Sequence, residues 1–210
     1  MVTTCRFLGG SCIEIISPKD HFIFDPNYFV EPKSGITHVF LSRVYDDQAC
    51  INKVKEIKEN YLKNGEKLRV FGPQSAQEWI EKDFKRIKDK KKIELRDSII
   101  DVYQISCQKT EQCFAYICSI GEVNILISGD LIKSAERLDG FQSNIDYCFL
   151  ASFKERYDLY LDFLKHVNTK VIFPYAFKPG EGQKAKSLVD FLNQHSIEAS
   201  FLEIGDEFDF

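Results

Sequence analysis

The spacing of apolar residues changes period along this chain and does so twice, which restricts the fold more than any other feature. Short strand-like runs come first, at residues 4–8, 11–16 and 21–24, separated by Gly9-Gly10 and by the polar turn Ser17-Pro18-Lys19-Asp20. The last two of these read as a hairpin. Residues 37–41, THVFL, form a continuous apolar run, the pattern of a strand covered on both faces. Helical spacing then takes over at Cys50, Ile51, Val54, Ile57 and Leu62, and Asn64-Gly65 supplies the stop. A short strand is predicted at 68–71. Gly72-Pro73-Gln74-Ser75 then opens a second helix running to about Phe84, with Pro73 in the first turn, where a missing N–H does no harm.

The second half repeats the order. A strand meander is predicted at 93–95, 98–105, 113–120 and 123–128, with Gly121-Glu122 as a tight hairpin turn. Strands at 145–150, 169–173 and 199–202 then alternate with helices at 157–166 and 183–195. Two meanders, each followed by helix and strand, suit two facing sheets with helices outside. The 210 residues fit one domain, 1–210, of the α/β class.

Composition agrees with such a core. Eighteen Phe and nine Tyr can fill the space between two sheets without disulfides. The seven cysteines are odd in number, scattered and free of any CxxC, so they read as buried reduced thiols. The N-terminal residues lack a basic segment followed by an apolar one. No apolar run reaches the roughly 18–20 residues needed to cross a bilayer. With a net charge of −4 there is no basic excess for nucleic acid. A cytoplasmic protein that binds neither nucleic acid nor membrane is expected. Residues 81–92 are dense in Lys, but Glu81, Asp83 and Asp89 interrupt the run, so it reads as a solvated helix end and loop.

Four segments, in order, carry a resemblance. FLGGSCIEI followed by IFDP resembles an opening hairpin with a strand ending in Asp-Pro, and THVFLSRVYDDQA a strand leading into a ligand-bearing loop. ILISGDL resembles a strand ending in Gly-Asp, and VIFPYAF a late strand that normally ends at a histidine. Together they resemble the metallo-β-lactamase superfamily, nearest to its small predicted metal-dependent hydrolases, the ascorbate-6-phosphate lactonase-like branch. The resemblance implies a four-layer αββα sandwich. It also implies a two-metal site at strand ends that polarises a substrate and lowers the pKa of a bridging water.

At the positions matching the family's ligands, however, the chemistry differs. The two leading histidines of the His-x-His-x-Asp-His motif fall on Arg43 and Tyr45. The aspartate is kept as Asp47, and the next histidine becomes Gln48. The histidine at the end of the long meander strand falls on Gln108, beside Cys107. The bridging aspartate is kept as Asp130, and the last histidine falls on Tyr175. Two carboxylates survive and no imidazole does. His21, His38, His166 and His195 lie elsewhere and read as structural.

Three readings follow. In the first, the chain is a non-catalytic pseudoenzyme, a binding or scaffold protein with no cofactor, whose partner is a small molecule or a protein. There Arg43 neutralises Asp47 and Asp130 in place of the metal, and Tyr45, Gln48, Gln108 and Tyr175 complete a polar network. In the second, Asp25, Asp46, Asp47 and Asp130 offer oxygen ligands to Mg or Mn, giving a hydrolase for a small ester, lactone or phosphate. The third is metal-free chemistry at Cys107, Tyr45 or Tyr175.

Overall fold

The structure is a computed structural model that describes residues 2–43, 48–80, 83–106, 112–129 and 144–210. Thr4–Gly9 (β1), Cys12–Ile16 (β2) and His21–Phe24 (β3) form an antiparallel meander. His38–Phe40 (β4) is the buried apolar run foreseen at 37–41, and it lies parallel to β3. The amphipathic segment Gln48–Asn60 (α1) then crosses over to Arg69–Gly72 (β5), parallel to β4.

Here the structure departs from the sequence expectation. In place of a helix from 72 to 84 there is one short 3-10 turn, Gln74–Ala76, and then a strand, Phe84–Arg86 (β6), parallel to β5. The open edge of β5 offers unpaired backbone groups that a second helix would leave without partners. After Lys92–Glu94 (β7), the strands Ser98–Ile105 (β8), Cys113–Ile120 (β9) and Val123–Ile127 (β10) form the expected antiparallel meander. Ile145–Ala151 (β11) and Thr169–Tyr175 (β12) extend it in parallel, joined through Tyr157–His166 (α2). Pro174 lies inside β12 without breaking a ladder, because β12 is an edge strand. Gly182–Gln194 (α3) follows. Residues 199–202 form no strand beyond a single bridge at Ala199. The chain instead returns at Glu207–Asp209 (β13) to pair with β1.

Two mixed sheets result, with orders β13-β1-β2-β3-β4-β5-β6 and β12-β11-β10-β9-β8-β7. The Lys-rich run therefore maps onto β6 and β7, the edges of both sheets, where charged side chains discourage pairing with another chain. Between the sheets lies an aromatic core that includes Phe7, Phe22, Phe24, Phe40, Phe71, Tyr116 and Phe149, with stacked and edge-on ring pairs. Helices α2 and α3 cover the outer face of the second sheet through Tyr160, Phe163, Leu188 and Leu192. Helix α1 covers the first through Ile51, Val54 and Ile57. The layers are αββα, as expected.

One expectation about cysteine fails. Cys5, Cys12, Cys50, Cys118 and Cys148 are free, but Cys113 is disulfide-bonded. Spacing along the chain carries no information about the antiparallel return that places Cys113 opposite Ile105, beside the end of β8.

Candidate functional site

The parallel strands β3, β4 and β5 and the parallel strands β10, β11 and β12 end on the same side of the sandwich. The described ends of the segments that resemble ligand-bearing motifs, Ser42, Gly129 and Tyr175, lie on this side, as open α/β sheets place their sites. The two sheets are tied together at this rim by main-chain hydrogen bonds. Gly10 N–H donates to Phe177 O at 2.8 Å, and Ala176 N–H donates to Gly10 O at 2.7 Å. Gly10 has a φ of +57°, and a Cβ there would come within 2.5 Å of Asn27 O, so the close approach requires glycine.

At the end of β4 the polar groups are tightly partnered. Leu41 N–H donates to Phe71 O at 2.8 Å, and Leu41 O accepts from the Tyr116 hydroxyl at 2.5 Å. Ser42 N–H donates to Asp25 Oδ1 at 2.7 Å and the Ser42 hydroxyl to Asp25 Oδ2 at 2.5 Å, while Ser42 O accepts from Phe114 N–H. Ser42 is 2% exposed and Asp25 7%. Burial, and then the nearby Asp25 carboxylate, pushes the Tyr116 phenol well above its usual range, so it stays a neutral donor. Asp25 has a φ of +43° and Ala176 one of +64°, so two left-handed non-glycine residues flank the rim.

Of the residues expected to form the site, Asp25, Arg43 and Tyr175 are brought to this rim. Arg43 is half-buried just beyond Ser42. Tyr175, which the resemblance sets against a histidine, is 1% exposed, and its hydroxyl donates to Gly129 O at 3.1 Å. Gly129 itself has a φ of +60°, and a Cβ there would meet Phe114 O at 2.6 Å. Gln48 opens α1. Tyr45, Asp46, Asp47, Cys107, Gln108 and Asp130 lie outside the described residues.

The described donors do not suit zinc. Among the described residues no three His, Cys, Asp or Glu side chains are grouped to hold an ion. The histidines lie elsewhere. His21 Nε2 lies 2.8 Å from the fully buried Glu14, which also pairs with Arg6 and accepts from Lys33 N–H. His38 lies at the far end of β4. His166 and His195 sit at helix ends. Ser42 and Tyr116 were not foreseen as site residues. Their only sequence signal is a hydroxyl inside or just after an apolar run.

No protein-family model and no curated protein matches the sequence. Solved structures do. Igni18, a metallo hydrolase from the archaeon Ignicoccus hospitalis, superposes with a TM-score of 0.77 at 12% identity, over 100% of this chain and 99% of that one. YhfI, a metallo-β-lactamase fold protein from Bacillus subtilis, gives 0.71 at 12% identity over the full length of both. CmlA, a diiron β-hydroxylase from Streptomyces venezuelae, gives 0.75 at 11% identity over 99% of this chain, which spans only 54% of CmlA. Identities this low carry the architecture and nothing finer: the chain has the metallo-β-lactamase fold.

Proposed function

We propose that this is a binding or scaffold protein on a hydrolase fold, with the metal cleft converted into a closed polar plug. The observation that carries the reading is Tyr175. Its phenol, which the resemblance sets at the last ligand position, is buried and donates to the Gly129 carbonyl, one residue before Asp130. A neutral phenol donating its hydrogen is a poor zinc ligand. Asp25 supports the same reading, because both of its oxygens accept hydrogens from Ser42. In this reading the Arg43 guanidinium balances Asp47 and Asp130, with Tyr45, Gln48 and Gln108 completing the network. The partner is a small molecule or another protein, and neither nucleic acid nor membrane is involved. The residues in hand do not fit a two-zinc centre, so no catalytic step through a metal is derived.

Elemental analysis of untagged protein, expressed with added zinc and manganese, tests the reading. Less than about a tenth of an equivalent of any transition metal is expected, because an imidazole-free site binds such ions weakly. One equivalent of manganese that disappears on Asp130→Ala would favour the recast hydrolase instead. Tightly held zinc would refute the ligand assignment itself.

A further inference from the structure

A second cleft lies at the opposite edge of the sandwich. Strand β4 enters it at His38 and leaves toward the rim described above about 10 Å away. One wall is the starting edge of the parallel strands, where Arg69 is the ladder neighbour of His38 and Lys85 lies on β6. The other wall is the turn between β7 and β8, contributed by the second sheet. The cleft holds about 680 Å³, the size of small-molecule sites. Its walls are pinned: Asp20 accepts from Arg96 N–H at 3.2 Å and Asp97 N–H at 2.8 Å, and the Ser17 hydroxyl donates to Asp97 at 2.6 Å. Arg96 also reaches across to Glu66 at 2.9 Å.

Most of the acids in this cleft are already occupied. Glu66 pairs with Arg96 and Lys63, Asp83 pairs with Lys58, and Asp20 holds the turn. Among the described residues the side chains of Lys67, Arg69 and Lys85 make no ion pair or hydrogen bond, although Lys85 Nζ lies 5.9 Å from the Phe71 ring centre, and Glu94 is the one carboxylate of the cleft in the same condition. The cleft therefore leaves three cationic side chains, and one carboxylate, free to meet a ligand, within a lining that carries four acids and four bases.

His38 adds a directional requirement. The Thr37 hydroxyl donates its one hydrogen to His21 O at 3.0 Å, so at 2.8 Å from His38 Nδ1 it must accept the ring's hydrogen. That leaves Nε2 as the lone-pair side of a neutral ring, buried and without a partner. Burial, and next Arg69, pull the His38 pKa down to about 4, so the ring is neutral at physiological pH. A buried acceptor of this kind favours a ligand bringing a hydrogen-bond donor.

We propose that this cleft binds a small hydroxylated organic phosphate, its phosphate on Arg69, Lys67 and Lys85 and its hydroxyls donating to His38 Nε2 and Glu94. Arg69 supplies the planar fork that matches phosphate oxygens, and the two lysines add charge. The cleft shares no residue with the rim of the proposed plug, so the two proposals stand or fall separately.

Titration calorimetry of the full chain with glycerol 3-phosphate at low salt tests it. Saturable one-site binding is expected below about 10 mM, weakened about tenfold or more by Arg69→Ala and by the Lys67→Ala/Lys85→Ala pair. These side chains are exposed, so the fold is retained. His38→Phe keeps the ring stacking and removes the acceptor. It should weaken glycerol 3-phosphate while leaving inorganic phosphate unchanged. Absence of saturable binding, or binding indifferent to Arg69→Ala, would overturn the proposal. Binding abolished by Arg43→Ala would place the ligand in the other cleft and overturn it equally.

Discussion

The latch between Asp25 and Ser42 holds the loop after β4 in place, and its removal has a calculable cost. Asp25→Ala deletes two charge-assisted acceptors and leaves the Ser42 N–H and hydroxyl without them in a site 2% exposed. It also puts alanine at a φ of +43°, where a side chain without a local hydrogen bond is strained. Unpartnered buried donors cost about 1–3 kcal/mol each and the left-handed backbone about 1 kcal/mol. A loss of about 4 kcal/mol is therefore expected. Asp25→Asn retains one acceptor for the Ser42 N–H, lets the serine hydroxyl turn to accept from the new amide, and tolerates the backbone angle. It should cost only about 1–2 kcal/mol. Urea unfolding followed by far-ultraviolet circular dichroism measures both. The two losses should be the same in EDTA and in millimolar Mn²⁺, because the carboxylate is a structural acceptor. An Asp25→Ala protein within about 1 kcal/mol of the parent would refute the latch. A Mn²⁺ stabilisation that vanishes in Asp25→Ala would return Asp25 to the role of metal ligand.

Three further outcomes are expected. Tyr175→Phe removes the bond to Gly129 O for about 1 kcal/mol, a fall of about 2–4 °C in Tm by calorimetry. Glu14→Ala leaves Arg6 and His21 around a vacated, fully buried position and should cost about 3–5 kcal/mol in urea unfolding, against little change for Lys33→Ala at the exposed end of the network. Stability should also fall as pH drops from 6.5 toward 4. In that window the unfolded chain protonates the histidine at position 38 while the native ring, held at about 4, stays neutral. With solvent screening in the cleft the loss is about 2 kcal/mol, and a His38→Gln protein should lack that part of the pH slope.

Much of the architecture was legible because it rests on local periodicity. The amphipathic α1, α2 and α3 each bury a face that repeats at the helical period, and β4 and the β8–β9–β10 meander are short apolar or alternating runs bounded by turn residues. The segment after Gly72 was misread because its fate depends on a non-local partner, the open edge of β5. The run at 199–202 was likewise misplaced, since the available edge was β1 and β13 took it. Within the site, the sequence alone supplied the residue types that the resemblance sets against the family's ligands: Arg43 and Tyr175 against imidazoles, Asp47 and Asp130 against carboxylates. Only the tertiary structure decided what the described ones do. The acceptors of Ser42 and Tyr175 lie 17 and 46 residues away along the chain. The partners of a hydrogen bond are chosen by which strand ends the fold brings together, and no local pattern encodes that.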